Sequence, residues 1–175
     1  MEEEIEKKNV SEEAITKANY NEQYSRKNNV KILDIKELPS ENEESLTRTV
    51  TDTLNTQGII LKPEDIIAIH RIPTKKGNVR PILLKLKNNT AKANIMRKRK
   101  EMKTAGHRLV DDVTKQNHGL INRLYLHPDI ESAWFFNGSV YGQTVRNERV
   151  RFDIYDNIDS VIAEFRKRCF QSRTK

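Results

Sequence analysis

"DIIAIHRIPTKKGNVRPILLKLK", residues 65–87, holds two apolar runs of strand length separated by a basic connection with one glycine. Alternating apolar positions on either side of a glycine-bearing turn predict two neighbouring strands. The elements around them follow from the same logic. Upstream, "NVKILDI" (29–35) reads as a strand. "PSENEESLTRTVTDTLNTQG" (39–58) reads as a helix, with a capping box expected at Ser40 and Glu43 and a stop at Gly58. Leu46, Val50 and Leu54, spaced by four, are its core stripe. Downstream, "NTAKANIMRKRKEMKT" (89–104) predicts a second helix with Ala91, Ile95 and Met102 on one side, and "HRLVDDV" (107–113) a last strand.

The order β-α-β-β-α-β is the split βαβ arrangement of RNA-recognition folds among many others, so it fixes no function by itself. A second, smaller unit follows. "TKQNHGLINRLYL" predicts a helix burying Leu120, Ile121 and Leu124, ended by Pro128. Asn137-Gly138 inside "SAWFFNGSVYGQT" is the strongest hairpin signal in the chain, "RVRFDIYD" adds a third strand, and "NIDSVIAEFRKRC" closes with a helix. Before all this, residues 1–28 read as an isolated helix. Its best apolar series (Val10, Ala14, Lys17, Asn21, Tyr24) fills a heptad seam poorly. The expected class is α+β. A short N-terminal helix (1–28) precedes an RNA-recognition-like domain (29–112), and a helix, three-stranded sheet and helix form a C-terminal domain (113–175).

Charge is unevenly placed. The net +7 conceals a segment, Arg71 to Arg108, with 13 Lys or Arg and a single acid, Glu101. Such a concentration points to a polyanion-binding face more than to general solubility. No apolar run has the length of a membrane span, and the acidic start is unlike a secretory signal. One cysteine, Cys169, leaves no internal disulfide framework and fits a reducing compartment. A cytoplasmic or nuclear protein is the expectation, with no cofactor and no membrane partner.

The usual RNA-recognition sheet displays rings on its central strands, but "RPILLKLK" has none. With Ile82, Leu84 and Leu86 facing the core, Leu83, Lys85 and Lys87 point outward, as do Lys31 and Leu33 on the first strand. Cations grip phosphates and carry no sequence information, so binding is expected to be salt-sensitive and sequence-blind. Arg26, Lys27 and Lys31 stand at the mouth of the first strand. They are expected to join Arg71, Lys75, Lys76, Arg80 and the helix run Arg97 to Lys100, with Arg97 and Arg99 foremost, and Arg108. Competing readings are a solvated helix face or a localisation signal for the run, and a grip on backbone carbonyls for Arg71 and Arg80. Trp134 and Tyr141 offer stacking surfaces, although rings in a small sheet are more often core. The four histidines show no metal spacing with Cys169. Asp111 and Asp112, beside Asp129, suggest a divalent-cation nuclease only weakly, because adjacent strand residues face opposite ways. Without a P-loop, GxSxG or HExxH, no enzyme is expected.

The stretches "EQYSRKNNVKI", "EDIIAIHRIP", "RPILLKLK" and "HPDIESAWFFNGSVYGQT…RVRFDIYD" resemble the first-open-reading-frame proteins of LINE-type (non-LTR) retrotransposons. The likeness covers about Glu22 to Arg168, most specifically in "YSRKNN" and "HRIP…RP". It implies a single-stranded RNA (and DNA) binding nucleic-acid chaperone that coats the element's RNA in a cytoplasmic or nuclear ribonucleoprotein. It also implies that Arg26, Arg71, Arg80 and the basic stretch to Arg108 touch RNA, and that residues 113–175 close on the strand. Members of that family trimerise through a long coiled coil. At most about 25 residues precede the basic stretch here, so a homotrimer is expected to be weak or absent. The rival expectation is a coiled-coil protein-interaction module whose basic face meets an acidic partner.

Overall fold

The computed structural model describes residues 1–173, an α+β chain with six helices and two antiparallel sheets. Two compact units emerge: Arg26–Asp112, and Met1–Ser25 together with the chain from Val113 onward.

In the first unit, β1 (Asn29–Leu33), β2 (Ile66–Arg71), β3 (Ile82–Leu86) and β4 (Arg108–Asp111) form a sheet in the order β2-β3-β1-β4. Every neighbouring pair is antiparallel, with Lys31 opposite both Leu83 and Val110. One face carries Val30, Ile32, Ile69, Ile82, Leu84, Leu86 and Leu109. They pack with Leu46, Val50 and Leu54 of α2 (Glu43–Thr56), Ala91 and Ile95 of α3 (Asn89–Met96), and Met102 of α4 (Arg99–Thr104). The strand alternation and the stripe at a spacing of four were both legible in the sequence.

Two local expectations are corrected. The cap of α2 is Asn42, whose side chain accepts from the Ser45 backbone N–H while the Ser45 hydroxyl accepts from the Asn42 N–H. Ser40 instead takes a left-handed turn, φ 55°, two residues earlier. The helix expected over 89–104 is broken at Arg97 and Lys98. The bend keeps both Ile95 and Met102 buried.

In the second unit, β5 (Ile130–Phe136), β6 (Ser139–Thr144) and β7 (Arg149–Phe152) form a meander. Asn137 and Gly138 both have positive φ (46° and 83°), as a two-residue hairpin of matched twist requires. Ala133, Val140, Val150 and Phe152 face Leu120 and Leu124 of α5 (Lys115–Tyr125) and Ile158 and Ile162 of α6 (Ile158–Arg173). Helix α1 (Glu2–Ser25) is not isolated. Its Asn19 and Gln23, one turn apart, are buried against the start of α5. The Asn19 amide donates to Asn117 (3.0 Å) and its carbonyl oxygen accepts from the Thr114 hydroxyl (2.6 Å). The Gln23 oxygen accepts from the Thr114 backbone N–H (2.9 Å) and the Asn117 amide (3.0 Å). The weak seam along Val10, Ala14, Lys17, Asn21 and Tyr24 lies on a different, exposed side. No helix among the described residues is long and apolar enough to cross a membrane.

Candidate nucleic-acid interface

The sheet of the first unit has its helices on one face, leaving the other open. On that open face lie Lys31 and Leu33 of β1, Leu83 and Lys85 of β3, His70 of β2, and Arg108 and Val110 of β4. Leu83, Lys85, Lys31 and Leu33 point outward as expected. What the sequence did not reveal is how many of the cations are already held by carboxylates.

Asp112 answers the basic run before β1. Its carboxylate is buried and accepts from Arg26 (3.0 Å), Lys31 (2.9 Å) and the Asn29 amide (2.8 Å). Burial pushes this carboxyl up, but the hydrogen bonds from Asn29 and Lys31 and the nearby positive charges outweigh it and hold it below the ordinary range. Asp111 pairs with Lys92 at 2.7 Å, and Lys92 also donates to the Lys27 carbonyl. Both aspartates therefore act as anchors for cations of their own unit. Arg108 pairs with Asp34 at 2.9 Å.

Arg71 is corrected outright as a ligand-facing residue. Its side chain is 4% exposed and all five of its N–H donors are engaged internally. Nε and Nη2 hold Glu41, Nη1 donates to the Ile35 and Arg80 carbonyls, and Nη2 also reaches the Lys36 carbonyl. A planar fork suits this work, tying the loop after β1 to the start of β3. Arg80 is half-exposed but held bidentately by Glu37, at 2.9 Å to each oxygen. The Arg80 side-chain and backbone hydrogen bonds lower the Glu37 carboxyl to about 2.

Eight other cations of the basic segment are different. Lys75 and Lys76 in the β2–β3 turn, Lys85 and Lys87 on and after β3, and Arg97, Arg99, Lys100 and Lys103 around the α3–α4 bend are exposed and, among the described residues, pair with no carboxylate, whereas Lys92 and Lys98 hold Asp111 and Glu101. They do not share one surface: Lys85 lies on the open face, whereas Arg97 and Arg99 belong to the helix layer on the other side. The path expected over Lys31, Lys85 and Lys87 with Arg71, Arg80, Arg97 and Arg108 at its sides therefore reduces to Lys85 and Lys87 as unclaimed grips on the open face.

Comparison with known proteins adds nothing here. No protein-family model matches the chain, and no curated protein matches it. Function has to be read from the geometry.

The second sheet carries what the first lacks. Trp134 and Tyr141 sit opposite each other on β5 and β6, outside the hydrophobic core, so the core reading of these rings is corrected. Their planes are 19° apart with centroids at 6.0 Å, and the Arg149 guanidinium carbon lies 5.0 Å from each centroid. Even spacing along β5 and β6 put these rings on one face; only the burial of the opposite face told which. The turn before β7 fixes Arg149. The Thr144 hydroxyl donates to the Glu148 carboxylate, which also accepts bidentately from Arg166 of α6. The Arg166 hydrogen bond, with help from Thr144, lowers the Glu148 carboxyl to about 2.

His127, Asp129 and Asp159 bring ligand atoms within 4.8 Å of one another, a grouping the sequence did not show. The Asp129 backbone N–H donates to His127 Nδ1 at 3.2 Å, so Nε2 carries the proton and donates to Asp159 at 3.1 Å. In that tautomer the one ring lone pair, on Nδ1, is already engaged by the Asp129 N–H.

Proposed function

We propose that the chain binds single-stranded RNA or DNA without sequence preference and acts as a nucleic-acid chaperone, with no catalytic role. The observation that carries this reading is the set of eight exposed, unpaired cations in residues 75–103 of a unit that keeps one sheet face open. Unpaired lysines and arginines can release phosphate counterions without first breaking an internal ion pair. The strand order β2-β3-β1-β4 supports a split βαβ, RNA-recognition-like fold for residues 26–112. With the resemblance in "YSRKNN" and "HRIP…RP", it supports a role as the RNA-coat protein of a LINE-type retrotransposon, working in a cytoplasmic or nuclear ribonucleoprotein. Self-association through α1 belongs to the same reading, supported by the exposed side chains of Ile5, Val10 and Ile15.

The test is a salt titration of binding to a labelled 30-nucleotide RNA beside a duplex of the same sequence. A single strand preferred over the duplex is expected, with log affinity falling by roughly 0.7 per phosphate contacted for each decade of salt. Failure to bind at low salt, or displacement of RNA by acidic peptides at physiological salt, would return the basic face to a protein partner. Magnesium-dependent cleavage of the oligonucleotide would overturn the non-catalytic part.

A further inference from the structure

Arg149 and Arg151 differ from the arginines of α6 in the same unit. Arg166 is clasped by Glu148 at 2.8 Å, and Arg168 meets Glu164 at 3.1 Å. Among the described residues, Arg149 and Arg151 pair with no carboxylate. Arg149 instead places its guanidinium carbon 5.0 Å from the centroid of each ring, within cation–π range, and no carboxylate among the described residues takes its N–H donors. Arg151 sits opposite Tyr141 on the same face of the sheet.

Beside these residues runs a groove of about 630 Å³, between the β7 edge and α6. Tyr141, Arg149 and Arg151 form one wall; Val161, Phe165, Glu164 and Arg168 form the α6 side, and Asp156 lies at the turn before it. Glu164 already takes Arg168, so the cations left for a phosphate are those of the β7 wall. Stacked rings capped by an unpaired cation, continuous with a groove holding further arginines, match the two chemistries of an unpaired nucleotide. A base offers a π face to stack, and its phosphate offers oxygens to the free N–H groups.

We infer that the outer face of the three-stranded sheet is a base-stacking subsite for single-stranded nucleic acid. Trp134, Tyr141 and the Arg149 plane take an unstacked base, and the adjoining groove takes its backbone against Arg149 and Arg151. This rests on the nucleic-acid reading proposed above and deepens it: one unit contacts phosphates, the other contacts bases. A plain cross-strand aromatic pair would stabilise the hairpin and nothing more, and the titration below separates the two.

Trp134 is the one tryptophan of the chain, so its emission reports on this face alone. The full chain is titrated with an unstructured 12-nucleotide RNA, with an abasic strand of equal length, and with an acidic 12-residue peptide. Anisotropy of a label on each added chain is followed beside Trp134 emission. The RNA should quench Trp134 in step with binding, and the abasic strand should bind more weakly and leave the emission unchanged. Trp134→Leu and Arg149→Glu should each weaken the RNA about 5- to 150-fold while leaving the abasic strand's affinity within about twofold for Trp134→Leu. RNA binding at full affinity with unaltered Trp134 emission would overturn the subsite and leave the phosphate-binding reading standing. Absence of any RNA binding would overturn both. Quenching by the acidic peptide but not by RNA would assign the face to a protein partner. The wild-type titration decides the matter even if Trp134→Leu fails to fold.

Discussion

The outer faces of the two sheets invert the expectation drawn from their sequences. The four-stranded face was expected to be a field of cations; the rings of the three-stranded sheet were offered as a stacking surface, Tyr141 among the nucleic-acid-binding residues, against a competing core reading. Instead Lys31 and Arg108, with Arg26 at the strand mouth, are claimed by Asp112 and Asp34, whereas Trp134, Tyr141 and Arg149 stand clear of the core. A charge counted along the chain is a poor measure of charge available to a ligand. Acids from other segments neutralise it, and what is left over depends on which side of a sheet each residue occupies.

The largest effect that separates structural cations from free ones should come from Arg71→Ala. It strands a mostly buried Glu41 and three carbonyls, so a loss of about 3–5 kcal/mol of stability is expected by chemical denaturation. If Arg71→Ala folds normally and loses only RNA affinity, its assignment as a strut is wrong. Asp112→Asn comes next. Exchanging the ionised acceptor for an amide should cost about 1–3 kcal/mol, yet free Arg26 and Lys31 for phosphate. Binding should therefore become steeper in salt, by up to roughly 1.4 in the log–log slope. An unchanged slope would mean that these cations do not reach the strand.

On the other sheet, Gly142 lies on the inner face directly beside Tyr141. A methyl group there would meet the Phe152 ring at 3.0 Å and Ile130 at 3.3 Å. Gly142→Ala should cost about 1–3 kcal/mol through overpacking and disturb Trp134 emission without changing the salt slope. The smallest effect concerns acid. Glu148 has a carboxyl lowered from 4.5 to about 2, so the unfolded chain binds its proton more readily than the folded one does. The stability it contributes is present above about pH 4.5 and fades as pH falls toward 2. Glu148→Gln should flatten the pH dependence of unfolding in that window, and an unaltered profile would show that the Arg166 clasp is not maintained in solution.

Much of the fold was readable because its signals are local. Leu46, Val50 and Leu54 declare a helix face, Asn137-Gly138 declares a hairpin, and alternation in residues 82–86 declares which side chains go inward. The caps were less readable. Ser40 and Asn42 are both good capping residues in one polar stretch, and a serine at the third helical position replaced the expected glutamate. The candidate site was legible in residue type but not in availability. Arg71 and Lys85 look alike in sequence, and only partners 30 or more positions distant, such as Glu41, tell them apart. The break at Arg97 and Lys98 and the pairing of His127 with Asp159 are likewise tertiary outcomes with no local signal.

The hydrogen bonds that seat α1 on α5 join neutral groups: two amide side chains meet a threonine and a third amide. Salt screens pairs of charges and acts little on hydrogen bonds between neutral groups. None of these four bonds uses an ionisable side chain, so they are the contacts of α1 least sensitive to electrolyte and pH.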